Sequence, residues 1–474
     1  MSNTAQMSAR ERIDALLDDG SFVEIGKAVT KRSTDFNLQD KAAPSDGVIT
    51  GYGVVNDNLV YVFSQDASVL AGTIGEMHAK KIARLYDLAA KTGAPVVGLY
   101  DCAGLRLEES YDALDAFGSI YTKQASVSGV VPQIAGVFGT CAGGVAVCAA
   151  MSDFTFMTRD HSRLFVNSPN ALAGNYTAKL DTSSAAFRAE NGGADVVCED
   201  EAALLASIRT LLGVLPNNNE DDESYDECSD DLNRSLPAFA GEIQDPAAAL
   251  ADLSDDYFFF ETGKDYAPEM VTGFIRLNGM TVGAAGNREA FLDGKDKVDA
   301  GLSAHGCEKA AAFVRFCDAF NIPVLTLTNV AGFQQTLCSE KSIARAAAKL
   351  TYAFTDATVP KVNVITGKAF GSAYITMNSR HIGADMVFAL PTAKIGMMDA
   401  KLAAGIMYDG SAADVIAAKA AEYEALQGTA DAAAKRGYVD AVIAPEEVRA
   451  QVIYAFETLF TKRENRPERK HGTV

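Results

Sequence analysis

Tryptophan is absent from the 474 residues of this chain, and histidine occurs only five times. No two histidines stand at the spacing of a zinc site, and the eight cysteines form no CxxC pair, so we expect no metal centre. Basic residues are scarce as well: 42 lysines and arginines stand against 62 aspartates and glutamates, which gives a net charge of −20. This imbalance argues against binding to nucleic acid or to anionic lipid.

A long run without charged residues lies at residues 129–150. Its 22 residues are enough to cross a bilayer, but Pro132, Gln133 and five glycines interrupt the run. We therefore predict a buried strand, loop and helix here and no insertion into a membrane. Because no signal peptide is visible at the N-terminus and several cysteines lie inside apolar runs, we expect reduced thiols and a cytoplasmic protein.

Two stretches of the chain repeat each other at a nearly constant distance. Residues 50–52 (TGY) correspond to 272–274 (TGF), an offset of 222, and residues 131–134 (VPQI) correspond to 359–362 (VPKV), an offset of 228. An offset that stays nearly constant over such a distance indicates two copies of one domain, because stacked short repeats would recur many times.

The stretch between the copies, residues 217–231, is rich in Asn, Asp and Glu. This composition predicts a solvated linker, with an acidic docking strip as the alternative. The predicted organisation is a first domain at 1–216, an acidic linker at 217–245 and a second domain at 246–474. In both domains apolar runs alternate with segments of helical periodicity, which predicts an α/β fold with parallel strands.

The hydrophobic pattern also places individual elements in the two copies. The first copy is predicted to contain a hairpin at 48–63, a helix at 75–92, a strand at 95–99, a helix at 113–127 and a strand at 134–138. The second copy is predicted to contain a hairpin at 274–285, a helix at 308–320, a strand at 324–327, a helix at 343–355 and a strand at 362–365. A further helix at 8–20 begins with the capping-box pair Ser8 and Glu11.

Each copy carries a run of small residues between an apolar strand and a helix, at 139–144 (GTCAGG) and 367–372 (GKAFGS). Backbone N–H groups at such a turn stabilise negative charge, either on a phosphate or on an oxygen that becomes anionic during a reaction. The first run lacks the Lys-Ser/Thr of a P-loop, and no GxGxxG follows the strand, so a nucleotide site is poorly supported. Close packing of helix on strand is the alternative explanation of the glycines.

A set of motifs points to one family. The motifs are residues 64–66 (SQD), 75–82 (GEMHAKKI), 139–144, 315–323 (RFCDAFNIP), 368–374 (KAFGSAY) and 470–472 (KHG). With them, nearly the whole chain resembles the carboxyltransferase subunits of biotin-dependent acyl-CoA carboxylases and decarboxylases, including the propionyl-CoA and methylmalonyl-CoA members. The resemblance implies two tandem domains of the crotonase-like (ClpP/crotonase) α/β fold, with CoA bound mainly by the first and biotin approaching the second.

The activity implied by the resemblance is transfer of a carboxyl group between carboxybiotin and the α-carbon of a short-chain acyl-CoA, propionyl-CoA or methylmalonyl-CoA first of all. The N–H groups of Gly143 and Gly144 would hold the thioester oxygen of an enolate, and those of Ser372 and Ala373 would hold the ureido oxygen of biotin. The residues expected to contact CoA or the acyl group are Ser64, Gln65, Gly104, Arg106 and Ala142. Those expected around biotin or the acyl pocket are Gly332, Phe333, Phe370, Gly371, Tyr374 and Ile375.

The resemblance also implies partners. Biotin would arrive on a separate biotin carboxyl carrier protein, since this chain has no Ala-Met-Lys-Met attachment motif, and a biotin carboxylase or a membrane decarboxylase subunit would complete the system. The chain is expected to form a homo-oligomer, a hexamer built as a trimer of dimers or a smaller assembly. Alternatives are the carboxyltransferase component of a methylmalonyl-, malonyl- or glutaconyl-CoA decarboxylase, a stand-alone crotonase-type hydratase or isomerase, and a non-catalytic scaffold subunit.

The chain departs from the family pattern at several loops. Residues 101–106 (DCAGLR) replace a Ser-Gly-Gly-Ala-Arg-type run, residues 329–333 (NVAGF) replace Asp-Val-Pro-Gly-Phe, and residues 334–338 (QQTLC) replace a glycine-rich continuation. Ser372 stands where glycine is usual, which a serine tolerates without strain only if its φ is negative. These departures leave the acyl substrate open, and we expect the difference between Asp101 and Asn329 to bear on substrate choice.

Overall fold

A computed structural model describes residues 6–32, 36, 38–221, 227–288, 290–293, 296–299 and 301–467. The motif at 470–472 lies outside these residues. The chain divides into two compact units, Met1–Ser224 and Tyr225–Val474. The boundary lies within the predicted linker, but Leu236 and Phe239, also within it, are buried among the apolar side chains of the second unit.

The first unit is a mixed sheet with helices on both faces. Its strands are β1 Val23–Ile25, β2 Val48–Val55, β3 Asn58–Gln65, β4 Val96–Cys102, β5 Gln133–Ala142, β6 Phe154–Thr158, β7 Arg163–Phe165 and β8 Val196–Cys198. Its helices are α1 Ala9–Leu16, α2 Glu76–Thr92, α3 Ser110–Ser126, α4 Gly144–Ala150, α5 Asn175–Ala178, α6 Ala185–Glu190 and α7 Glu201–Leu212. The strand order is β1-β2-β3-β4-β5-β6-β8, with β7 paired to the far end of β5.

The second unit has the same architecture. Its strands are β9 Phe260–Thr262, β10 Met270–Leu277, β11 Met280–Asn287, β12 Ala290–Asp293, β13 Asp296–Asp299, β14 Val324–Val330, β15 Lys361–Phe370, β16 Met386–Ala389, β17 Lys394–Gly396 and β18 Ala441–Val442. Its helices are α8 Phe239–Glu242, α9 Pro246–Leu253, α10 Ala304–Ala319, α11 Leu337–Glu340, α12 Ile343–Asp356, α13 Gly371–Thr376, α14 Ala400–Met407, α15 Ala413–Gln427, α16 Ala430–Ala434 and α17 Val448–Leu459. The strand order is β9-β10-β11-β14-β15-β16-β18, with β17 paired to β15.

The predicted duplication is confirmed strand by strand. In both sheets the first three strands pair antiparallel and the remaining ones parallel, as in β2–β3 and β10–β11 followed by β3–β4 and β11–β14. The change of offset from 222 to 228 has a local cause. Residues 66–75 link β3 to α2, whereas the longer segment 288–303 links β11 to α10 and contains the extra hairpin β12–β13.

A buried lysine recurs in both copies. Lys309 donates from Nζ to the carbonyl oxygens of Gly263, Tyr266 and Met270 at 2.6, 2.8 and 2.6 Å. Lys81, at the same place on α2, donates to carbonyl oxygens of the segment that enters β2. Each ammonium group therefore supplies donors to carbonyl oxygens of the segment that enters the second strand of its sheet. Burial lowers the pKa of Lys81 to about 8.

Helices cover both faces of the first sheet. Apolar side chains of α2, α3 and α4 form one core with the strands, and α7 contacts the other face at β5 and β6. The uncharged run at 129–150 forms β5 and α4 in this core, as predicted, and the capping box of Ser8 and Glu11 is present at the start of α1. Among the described helices, none combines the length and the apolar character that crossing a bilayer requires.

Two glycines of the first unit give a matched test of the packing. A Cβ at Gly98, in β4, would lie 2.5 Å from the ring of Phe63 and 2.7 Å from that of Tyr100, whereas a Cβ at Gly118, inside α3, meets nothing within 4 Å. Gly98→Ala should lower the free energy of unfolding by about 1–3 kcal/mol through overpacking. Gly118→Ala should raise it by roughly 0.5–1 kcal/mol, because alanine favours the helix. Urea unfolding followed by circular dichroism measures both, and equal effects would contradict this packing.

Candidate active site

The long strand at the centre of each sheet carries extra residues. Pairing of β4 with β5 passes from Tyr100 opposite Val137 to Cys102 opposite Cys141, so residues 138–140 face Asp101 alone. Pairing of β14 with β15 makes the same shift between Thr328 and Val330, so residues 366–368 face Asn329 alone. Such bulges redirect a strand and are frequent beside active sites. Both lead directly into the predicted glycine turns.

The first turn joins β5 to α4. Gly143 adopts φ 63° and ψ −129°, a conformation that residues with a Cβ avoid. Its N–H group donates to the carbonyl oxygen of Phe165 at 2.8 Å. The sequence interpretation assigned this N–H to the thioester oxygen. In this structure that group is paired with Phe165, whereas Gly144 is the first residue of α4. The assignment of both N–H groups to the thioester oxygen stays a prediction.

Two aromatic side chains of α3 pack against Gly144. The hydroxyl of Tyr121 donates to the carbonyl oxygen of Gly144 at 2.8 Å, and a Cβ at this position would lie 2.9 Å from the ring of Phe117. Glycine is thus required for close packing as well, which was the alternative explanation of the motif. Gly104, which follows β4, lies beside the turn, since its Cβ position is 3.6 Å from the carbonyl oxygen of Ala142.

The second turn has the same geometry. Gly371 adopts φ 63°, and Ser372 is absent from the residues with positive φ, so the serine introduces no backbone strain. Ser372 and Ile375 are exposed on the first turns of α13, whereas Phe370, Ala373 and Tyr374 are buried. The hydroxyl of Tyr374 has no hydrogen-bond partner among the described residues, and burial raises its pKa to about 12.

The loop after the bulge is held in the same way in both copies. The carbonyl oxygen of Gly332 accepts the N–H of Leu302 at 3.0 Å, and the carbonyl oxygen of Gly104 accepts the N–H of Ile74 at 2.9 Å. Phe333, next to Gly332, is only partly buried. The residues predicted around biotin thus form two groups within the second unit, one after β14 and one from the end of β15 into α13.

Arg106, which the resemblance implied as a CoA contact, is buried in an ion-paired cluster. Its side chain is 1% exposed, and Nη1 donates to Asp46 at 2.6 Å and to Glu109 at 2.8 Å. Glu109 in turn accepts the N–H of Glu76 at the start of α2, at 2.6 Å. Arg106 therefore joins the loop after β4 to α2 and does not present its charge to a ligand phosphate in this conformation.

Ser64 and Gln65 are also fully buried at the end of β3. Gln65 donates to Nε2 of His78 at 3.2 Å and accepts the N–H of Asp101 at 3.2 Å, whereas the hydroxyl of Ser64 has no partner among the described residues. Burial lowers the pKa of His78 to about 3, so its ring is neutral. Ser64 and Gln65 therefore expose no side-chain surface to a ligand in this conformation, and their predicted contact with CoA stays a prediction.

A cavity of about 760 Å³ opens beside the first turn. Phe165, whose carbonyl oxygen holds Gly143, lines it together with Arg163, Lys179, Asp181 and polar residues of the segment that follows β7. Its volume falls in the usual range of small-molecule sites.

The thiol beside the first turn is not activated. Cys141 lies at the end of β5 with no exposed surface, and burial raises its pKa well above the usual value, so the thiol is protonated at neutral pH. Within the described ranges, no group of three or more His, Cys, Asp or Glu side chains is placed to hold a metal ion.

Sequence reasoning missed Tyr121, Phe165 and Asp46. Phe165 acts through its carbonyl oxygen, which leaves no trace in the residue type. Tyr121 and Asp46 lie at least 20 residues from their partners Gly144 and Arg106, so only folding brings them together. Their sequence neighbourhoods hold no motif that signals these contacts.

Comparisons with known proteins agree over the whole chain. Residues 3–474 match the carboxyl transferase domain family. The chain is 40% identical to a propionyl-CoA carboxylase beta chain of Roseobacter denitrificans, covering 99% of this chain and 94% of the relative. It is 39% identical to a methylmalonyl-CoA decarboxylase subunit alpha of Veillonella parvula, covering 99% and 93%. The crystal structure of the transcarboxylase 12S hexamer with hydrolysed methylmalonyl-CoA superimposes with a TM-score of 0.93 at 35% identity, covering 99% and 92%.

The structural role of Arg106 is testable through stability. Arg106→Met leaves Asp46 and Glu109 buried without their cation, which should cost about 3–5 kcal/mol of unfolding free energy at neutral pH. Burial already raises the pKa of Asp46, and loss of the nearby Arg106 charge raises it further. A carboxyl group with a raised folded pKa loses stability as pH rises through that pKa, so the deficit should shrink between pH 8 and pH 5.

Urea unfolding across this pH range measures the effect. The exposed Arg84 on α2 is the control, since Arg84→Met should change stability by no more than about 0.5 kcal/mol. Unchanged stability of Arg106→Met combined with a raised KM for acyl-CoA would instead restore Arg106 as a CoA contact.

Proposed function

The chain belongs to the carboxyl transferase domain family, and from this premise we propose that it transfers a carboxyl group between biotin and the α-carbon of a short-chain acyl-CoA. It is an acyl-CoA carboxyltransferase with two tandem crotonase-like domains. The observation that carries the proposed mechanism is the recurrence of one strand, glycine turn and helix in both units, at Gly143 and at Gly371. Two turns of this kind suit a reaction in which two different carbonyl oxygens become negative.

The names of the relatives limit the choice of acyl-CoA substrate. One group is named for carboxylation of propionyl-CoA and another for decarboxylation of methylmalonyl-CoA. These compounds are the two sides of one chemical conversion, since a carboxyl group added to the α-carbon of propionyl-CoA gives methylmalonyl-CoA. We therefore take this pair as the substrates, and we expect the partner subunits to set the direction.

The first turn acts on the thioester. The N–H group of Gly144 donates to the thioester oxygen, which gains negative charge when the α-carbon loses a proton or a carboxyl group. Tyr121 and Phe117 fix α4 against α3, so this donor needs no rearrangement as the charge develops. Donors of this kind contribute most when they are held in place beforehand.

The second turn acts on the ureido group of biotin. Its residues fit a neutral, hydrogen-bonding ring: the turn offers backbone N–H groups at Ser372 and Ala373, the neighbouring side chains are Phe370 and Tyr374, and Ser372 is exposed. When bound, biotin supplies or accepts the carboxyl group and can take up the α-proton. The protein's own part is to orient the ring and to hold its oxygen through Ser372 and Ala373.

The proposal also covers the partner proteins, the oligomeric state and the cellular compartment. Biotin would be presented by a separate carrier protein, with a biotin carboxylase or a membrane decarboxylase subunit in the same system. A homo-oligomer is supported by the hexameric relative and by exposed apolar side chains on α14, namely Leu402, Ile406 and Met407. All eight cysteines are free, which suits the reducing cytoplasm.

The activity itself is tested with the isolated chain. Methylmalonyl-CoA should lose its carboxyl group only when free biotin is added, and malonyl-CoA and glutaconyl-CoA serve as alternative substrates in parallel reactions. Release of carbon dioxide measures turnover. Turnover without biotin would favour a stand-alone hydratase-type enzyme, and tight CoA binding without turnover would favour a scaffold subunit.

Gly144→Ala tests the first turn. A Cβ here meets Phe117 and Tyr121 at 2.9 Å, so α4 must move and its N–H is displaced. We expect kcat to fall by about 10²-fold, as for loss of one oxyanion donor. Thermal unfolding shows whether the variant stays folded, and Gly118→Ala, on the exposed side of α3, is the matched glycine control. Full turnover of a folded Gly144→Ala enzyme would remove Gly144 from the mechanism.

A further inference from the structure

We propose that Asp101 and Asn329 are positioning residues for the two turns. Each side chain accepts a hydrogen bond from the backbone N–H group of the last bulged residue, and it thereby fixes the glycine three residues further on. We call this pair of side chains the bulge clamp. The roles of the turns rest on the proposed function, whereas the clamp is a property of the fold that can be tested separately.

The contacts of the clamp are equivalent in the two copies. Oδ1 of Asn329 accepts the N–H of Lys368 at 2.9 Å, and Oδ1 of Asp101 accepts the N–H of Thr140 at 3.3 Å. Lys368 and Thr140 are the last of the three bulged residues in their strands. Both hydrogen bonds are part-buried, and loss of the acceptor of such an N–H group is costly, so the side-chain oxygen favours this closure of the bulge.

Both copies also keep a glycine under the clamp. A Cβ at Gly367 would lie 2.5 Å from Oδ1 of Asn329, and a Cβ at Gly139 would overlap the carboxylate of Asp101. Neither glycine has a positive φ, so backbone conformation does not require glycine there. Glycine is needed because the side chain of Asn329 or Asp101 occupies the space that a Cβ of Gly367 or Gly139 would fill.

The difference between the copies follows from charge. Asp101 carries a negative charge and lies 3.2 Å from Nη1 of Arg12, which also pairs with Glu201 and stacks on the ring of Phe138, the first bulged residue. Asn329 is 5% exposed and neutral, so it accepts the same hydrogen bond without a counter-ion. A buried carboxylate needs such a partner, and an amide does not. The departure from the family's Asp at Asn329 thus keeps the clamp.

Alanine substitutions separate the two clamps. Asn329→Ala should lower kcat by about 10–10²-fold, because a shift of the second turn by about 1 Å is enough for such a loss. The KM for biotin should rise, whereas the dissociation constant of acyl-CoA should stay unchanged. Asp101→Ala should show the opposite pattern, with weaker acyl-CoA binding and an unchanged KM for biotin. Asp101→Asn retains the acceptor for Thr140 but turns its NH2 group toward Nη1 of Arg12, so its loss of activity should be smaller than that of Asp101→Ala.

Removal of the underlying glycine distinguishes a hydrogen bond from space filling. Gly367→Ala displaces the Asn329 side chain and should resemble Asn329→Ala. The double variant Gly367→Ala/Asn329→Ala relieves the overlap but still lacks the oxygen of Asn329 that accepts the N–H of Lys368. It should therefore remain as slow as the single variants, and recovery of kcat in the double variant would overturn the proposal.

Amide hydrogen exchange provides a readout that does not depend on activity. Peptides covering residues 366–374 should exchange faster in Asn329→Ala and those covering 138–146 should not, with the reverse in Asp101→Ala. Unchanged exchange in both variants, or faster exchange with full kcat, would overturn the clamp as a positioning device. If the parent enzyme shows no biotin-dependent turnover, the proposed function fails, while the exchange pattern still decides whether the clamp holds the turns.

Discussion

Every buried backbone N–H group needs a partner, and this requirement shapes the centre of both sheets. β5 and β15 each carry three residues opposite one residue of the neighbouring strand, and Thr140 and Lys368 are the last of these three residues. A side-chain oxygen from that single opposite residue accepts the N–H group of Thr140 in one copy and of Lys368 in the other. The strand then ends in a glycine turn and a helix, and the N–H groups that could meet a substrate oxygen arise from this geometry.

The two copies meet the same requirements with different chemistry. In the first unit the partners are charged. Arg12 forms an ion pair with Asp101, and Glu109 accepts the first N–H of α2. In the second unit neutral groups replace them: Asn329 acts without a counter-ion, and the hydroxyl of Ser339 caps the first N–H of α10 at 3.2 Å. Neutral groups avoid the cost of burying charge. The buried Arg106 is one of these charged groups: it pairs with Asp46 and Glu109 and holds the loop after β4 in place.

Duplication explains why one fold offers two oxyanion sites. Among the described residues, each unit places one turn of this type after its central bulge, at Gly143 and at Gly371. In the first turn the N–H of Gly143 is paired with the carbonyl oxygen of Phe165. The exposed Ser372 and the enclosed Gly144 also differ in their surroundings, which suits turns that handle chemically different carbonyl groups.

The sequence by itself determined the duplication, the α/β class, most strands and helices, and the two glycine turns. These features follow from local patterns: buried parallel strands need apolar runs, helices need their periodicity, and positive φ needs glycine at Gly371. Only the tertiary structure decided what the polar residues do. Arg106 and Gln65 have residue types typical of ligand contacts, yet distant partners bury them, because their pairing depends on which chain segments folding brings together.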